Sequence, residues 1–194
     1  MAGSLQPVEM SAIFEVVMGL FLYRLMGAAA LDGGCFESVE NSPRVTRQAA
    51  AAVLLSSVAA GIGAGGIYGL HPVTILLMSG VALVTWVAWA MLAFQIGTRL
   101  LPGPETSATL GQLLRTTGFA AAPGLLQVFA LLPAMAVPVF SITTAWMFAA
   151  MVVGVRHALD YRSIRQALAV CGLAAALCVA MAVVAGLLFG PALR

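Results

Sequence analysis

A chain of 194 residues that is 62% hydrophobic and only 8% charged, with a mean hydropathy of +1.04, holds more apolar surface than a water-soluble core can bury, since soluble domains carry about 25% charged residues. That excludes a soluble enzyme or a nucleic-acid-binding domain and predicts an all-α polytopic membrane helix bundle. The net charge of +2 comes wholly from arginine, there being no lysine, and this lysine-free, alanine- and glycine-rich composition is read as that of a bacterial protein. Three cysteines without ligand or framework spacing predict neither a disulfide scaffold nor a zinc site.

Residues 1–48 are expected to form an N-terminal cytoplasmic or interfacial segment. Its apolar run from Val16 to Leu22 resembles the core of a signal peptide, but Glu9 and Glu15 precede it where basic residues belong. Phe14, Val17, Met18, Phe21 and Leu25 recur at helical spacing and predict a helix lying at the membrane surface or against the bundle, with a sixth span as the alternative. Asp32-Gly33-Gly34 ends that helix, and the polar segment after it runs to Ser42-Pro43, an N-cap and first-turn pair that starts the first span.

The membrane domain, residues 49–194, divides into five expected spans at about 49–68, 73–96, 118–135, 138–155 and 167–190. In the first, Gly61, Gly65 and Gly69 stand four apart and predict a flat face for close helix packing. The string GIGAGG there mimics a dinucleotide fingerprint, but no strand precedes it. His71-Pro72 marks the turn into the second span. Pro102-Gly103-Pro104 then forces a loop, and Thr109 with Gln112 has the form of a capping box. Between Arg115 and Arg156 the chain carries no charge, with a proline-marked break at Pro133 to Pro138. Two antiparallel crossings of about 25 Å each fit that stretch. Ser163 and Gln166 suggest a second capping box before the last span, whose Ala182, Gly186 and Gly190 repeat the four-residue spacing.

Arginine positions set the orientation. Arg24, Arg44, Arg47, Arg99, Arg115, Arg156, Arg162 and Arg165 fall on one side of a five-span topology and only Arg194 on the other. The positive-inside rule therefore predicts a cytoplasmic N-terminus and an external C-terminus in a bacterial inner membrane.

No acidic residue falls within an expected span, which argues against a coupled transporter or proton pump. Neither histidine has a nearby partner for catalysis or ligation, so no enzyme activity, cofactor or metal is expected. Gln95 and Gln127 are the only amides at membrane depth and are expected to hydrogen-bond between helices. Arg115, Arg156, His157 and Asp160 are the candidate cluster, read chiefly as a helix-end cap and secondarily as an interaction site.

The runs LDGGCFESVENSPRVTRQAAAAVLLSSVAAG, LGQLLRTTGFAAAPGLL and TTAWMFAAMVVGVRHALDYRSIRQAL resemble bacterial members of the Yip family, the Ypt/Rab-interacting proteins. Arg115, Gly118, Ala122, Pro123, Gly124, Trp146, Gly154, Arg156, Ala158, Leu159 and Asp160 carry the likeness, which spans roughly residues 20 to 190. The resemblance implies five transmembrane helices, a cytoplasmic N-terminus and, in eukaryotic relatives, binding of prenylated Rab GTPases. The tyrosine-rich motif and long cytosolic region of those relatives are absent here, and a Rab-type GTPase is not an expected partner in a bacterium. The expected role is a membrane scaffold or organiser whose partners are lipids and other membrane proteins, in a homo-oligomer or larger complex. An accessory subunit of a membrane complex, and a facilitator for a small neutral solute, are the alternatives.

Overall fold

A computed structural model describes residues 7–104, 106 and 108–189, with side chains placed for 15–104, 106 and 108–188. Among these residues every element is helical: α1 (Pro7–Ala29), α2 (Gly33–Glu40), α3 (Thr46–Tyr68), α4 (Pro72–Gln95), α5 (Leu110–Ala120), α6 (Ala136–Ala158) and α7 (Ile164–Phe189), with a 3-10 helix over Ala122–Leu131. A 3-10 turn, Pro43–Val45, leads into α3, and a π-helical turn, Ile96–Leu100, ends α4.

Four segments are long and apolar enough to cross a membrane: Pro43–Tyr68, Pro72–Leu100, Ala136–Ala158 and Ile164–Leu188. The first of them buries small residues and exposes large ones. On α3, Ala49, Ala52, Ser56, Ala59 and Gly63 are buried while Leu54, Leu55, Val58 and Ile67 are exposed. This is the pattern lipid imposes, since hydrocarbon solvates leucine as well as a protein interior does and helices gain only by approaching closely.

The stretch expected as a third continuous span is two elements. Pro123 has no N–H to give and its ring crowds the carbonyl four residues back, so α5 stops at Ala120. The chain resumes with the tighter 3-10 pitch as far as Leu131. This segment runs beside α3 in the same direction: Gly118 lies against Ala49, Gly124 against Ser56, Gly63 against the Gln127 carbonyl and Gly66 against the Ala130 carbonyl. A 3-10 helix rises about 2.0 Å per residue against about 1.5 Å in an α-helix. The 3-10 geometry therefore matches the length of α3 with fewer residues.

The return turn has Pro133 in its first central position and Ala134 in its second, at φ 62°, closed by the Met135 amide donating to the Leu132 carbonyl at 3.0 Å.

The N-terminal segment differs in detail from expectation. Among the described side chains of α1, from Glu15 onward, Phe21, Leu25 and Ala28 pack inward, with the Phe21 and Phe119 rings 6.2 Å apart. Val17 and Met18 are exposed, and the Phe14 and Glu9 side chains lie outside the described residues. The supposed polar link after Asp32 is itself an amphipathic helix, α2, capped by Asp32 Oδ1 accepting from the Gly34 amide at 3.0 Å. It buries Cys35, Phe36 and Val39 against the bundle end.

Candidate functional site

The polar residues gather at one end of the bundle, where three connections fold over the helix termini. The link between α6 and α7 is shaped by the end of α6. There the Tyr161 amide donates to the Arg156 carbonyl at 2.9 Å and the Asp160 amide to the His157 carbonyl at 3.0 Å. Asp160 takes φ 52° between them. This is a Schellman cap with aspartate in the left-handed position usually held by glycine. It turns Asp160 and Arg162 back over the end of the bundle.

Tyr161 anchors this link. Only 4% exposed, its hydroxyl lies 2.7 Å from the Leu101 carbonyl and 3.0 Å from that of Gly97, and so donates to the π-helical end of α4. Thr106 Oγ1 donates to the Leu159 carbonyl at 2.9 Å and accepts the Gly103 amide at 2.9 Å, tying the loop after α4 to the same place. Replacing Tyr161 with Phe leaves those carbonyls without a donor while keeping the ring. We expect Tyr161→Phe to lower stability by about 1–2 kcal/mol, read as a drop in the thermal midpoint of the purified protein.

α2 closes the other side. Phe36 is fully buried with its ring stacked on that of His157 at 6.4 Å, and Gly154 admits it, since a Cβ there would sit 3.3 Å from Phe36 Cε1. Arg115, 8% exposed, reaches from α5 to the end of α2 and donates from Nε and Nη2 to the Glu40 carbonyl at 3.2 and 2.6 Å. Gln112 Nε2 donates to Glu40 Oε1 at 3.1 Å, while its own Oε1 accepts the Thr109 amide in the capping box. The second box differs: Ser163 Oγ accepts from the Arg165 amide at 3.2 Å.

Between α2, α5 and the α6–α7 link lies a polar cavity of about 480 Å³. Arg156, His157 and Asp160 line it, together with Glu37, Glu40, Asn41, Gln112, Tyr161 and Arg162. Three of the four residues singled out from the sequence therefore share one wall. The fourth, Arg115, lies beneath as the brace that holds α2. The acids of α2 escaped sequence reading because a helix of eight residues gives little periodicity. The signal was Glu37 and Glu40 three apart, next to the apolar pair Phe36 and Val39.

Burial, with Asp160 nearby, raises the pKa of Glu40 above the ordinary carboxylate value, against the opposing pull of Gln112 and Arg115. A carboxyl whose folded pKa is raised binds its proton more tightly in the folded state, so its contribution to stability is greatest in acid and falls as pH rises through the folded pKa. Glu40→Gln, which keeps the acceptor for Gln112, should raise the thermal midpoint at pH 7 and leave it nearly unchanged at pH 4. Parallel melting curves for the two proteins across that range would contradict this.

The small-residue positions divide among several neighbours. A Cβ on Gly61 would meet Ser79 and the Ile75 carbonyl of α4, and one on Gly65 would meet the side-chain tips of Leu70 and Leu131. Gly69 lies past α3, as its C-cap at φ 88°. Ala182 is exposed, and no atom lies within 4 Å of a Cβ built on Gly186. Gly190 lies outside the described residues. Among those residues no group of three His, Cys, Asp or Glu side chains is placed to hold a metal ion.

A family model described as "Yip1 domain" matches residues 33–185, from the start of α2 into the last turns of α7. No curated protein and no solved structure matches the chain.

Proposed function

The chain belongs to the Yip1 domain family, and from that membership we propose a non-catalytic membrane organiser that holds other membrane components through its helix faces and its polar end. The observation carrying this reading is the separation of the two surfaces. The charged side chains of Arg156, Asp160, Glu37 and Glu40 surround one polar cavity. The outer faces of α4 and α7 are apolar, with Leu76, Val84, Val179 and Leu187 exposed among the described residues.

In this reading α5 and the 3-10 helix together make the fifth crossing, supported by their run alongside α3. The arginine-rich end faces the cytoplasm of a bacterial cell, supported by the positive-inside bias. Lipids cover α4 and α7 except where a partner displaces them. In the accessory-subunit form of the role, a larger complex docks on those faces.

The test is extraction of the full-length protein from its native membrane in mild detergent, followed by the mass and composition of what migrates with it. A membrane partner of fixed stoichiometry is expected, and Asp160→Gly should weaken its retention without unfolding the protein, because glycine suits the left-handed cap. A monomer that retains no membrane partner, with either residue at position 160, would remove the organiser reading.

A further inference from the structure

The middle of the bundle holds a second cavity, of about 320 Å³, separate from the polar end. Ser57 of α3, Trp86 of α4, Met147 of α6 and Ala175 of α7 line it, each at the centre of its membrane-crossing segment. Its size falls at the lower end of the roughly 300–1,000 Å³ typical of small-molecule sites.

The wall is mostly apolar, but it carries the hydroxyl residues Ser56, Ser57, Thr85 and Thr144, the Trp86 indole N–H, which has no hydrogen-bond partner among the described residues, and one amide. Gln127, from the 3-10 helix, lines the cavity although it is only 7% exposed. The single hydrogen bond its amide makes to a described residue runs from Nε2 to the Met147 thioether sulfur at 3.8 Å, and its Oε1 accepts none. Sulfur is a weak acceptor, so the amide is under-used at both ends. At membrane depth, where no solvent makes up the deficit, such a group calls for a partner.

The chemistry of the wall selects that partner. No charged side chain lines the cavity, so an ionised headgroup would be left uncompensated. A hydroxyl suits both ends of the amide, donating to Oε1 and accepting from Nε2. A third, wholly apolar cavity of about 260 Å³ shares Val53 and Trp86 as a common wall and continues toward Leu114.

We propose that the mid-membrane cavity binds an uncharged amphiphile with one free hydroxyl on a long apolar chain. Gln127 holds the hydroxyl. The chain lies against Trp86, Trp89 and Met147.

The test uses bromine as a contact quencher of tryptophan fluorescence in the full-length protein in detergent. Trp146, which is 38% exposed on the outer surface, is replaced by Phe so that the signal comes from Trp86 and Trp89. Saturable quenching by 12-bromododecan-1-ol is expected, about tenfold tighter than by 1-bromododecane, the alkane lacking the hydroxyl. Gln127→Leu should erase that difference, and Ala60→Phe, which fills the cavity, should abolish saturation. The comparison of the two probes needs neither cavity variant to fold. Quenching that rises linearly with both probes would overturn the site. Equal saturable affinity for both would overturn the role of Gln127, and tighter binding of 12-bromododecanoate at pH 9 would overturn the preference for an uncharged ligand.

Discussion

Gly63→Ala is expected to destabilise the bundle by roughly 3 kcal/mol or more, enough to lose most folded protein on extraction into detergent. A Cβ at this position would run into the backbone carbonyl of Gln127 and stand 3.1 Å from the Ala130 methyl group. The first obstacle is main chain in a 3-10 helix that is itself wedged between α3 and α6, so no rotamer change relieves it. α3 and the 3-10 helix would have to separate along their length. Gly80→Ala is the matched control, because nothing lies within 4 Å of a Cβ there. In an open helical position alanine is favoured over glycine by about 1 kcal/mol, so the control should melt at or above the wild-type midpoint. Equal thermal midpoints for Gly63→Ala and wild type would show that the close approach of α3 to the 3-10 helix does not hold the bundle together.

Arg115→Lys should free α2 from the bundle end while leaving the membrane helices in place. The guanidinium spans the Glu40 carbonyl with two nitrogens, at 3.2 and 2.6 Å, and an ammonium on a flexible stem cannot reproduce that fork. A hydrogen bond from a charged donor contributes about 1.5–3 kcal/mol. Local opening of α2 should therefore become about 30-fold more frequent for a loss of about 2 kcal/mol.

Cys35 reports the opening directly. It is 5% exposed on the inner face of α2, with its Sγ donating to the Arg24 carbonyl at 3.4 Å, and burial raises the pKa of its thiol. Both effects hold its reactivity down in the closed state. Maleimide labelling of Cys35, located by mass spectrometry, should accelerate by about that factor in Arg115→Lys and further in Arg115→Ala. Unchanged labelling in both variants would mean that α2 is held by Phe36 and Val39 alone.

The two variants touch the residues where sequence and structure part. Gly61, Gly65 and Gly69 stood out because they repeat every four residues, yet Gly63 and Gly66 are the two that meet carbonyls of the 3-10 helix. A comb of glycines shows that α3 offers a close-packing surface. Its spacing does not say which side faces which neighbour, because that depends on where the 3-10 helix lies. Arg115 likewise read as a member of the cluster with Arg156, His157 and Asp160, and its burial beneath that cluster follows from α2 folding over it. The capping box of Thr109 and Gln112 was legible because both partners lie within three residues and the hydrogen bonds close locally.

The sequence by itself determined the solvent and the class of fold. Long uncharged runs must sit in lipid, and in lipid a backbone segment satisfies its own polar groups by forming a helix. It also determined where the chain turns, since Pro72, Pro102 and Pro133 interrupt the helical pattern wherever they stand. Tertiary structure alone decided that the segment after Pro123 continues as a 3-10 helix, since only packing against the small-residue face of α3 holds so long a run of that geometry. It alone brought Glu37 and Glu40 to Arg156 and Asp160, and left the Gln127 amide facing a cavity at mid-membrane. Those residues lie far apart along the chain, and no local periodicity records a meeting that only the assembled bundle creates.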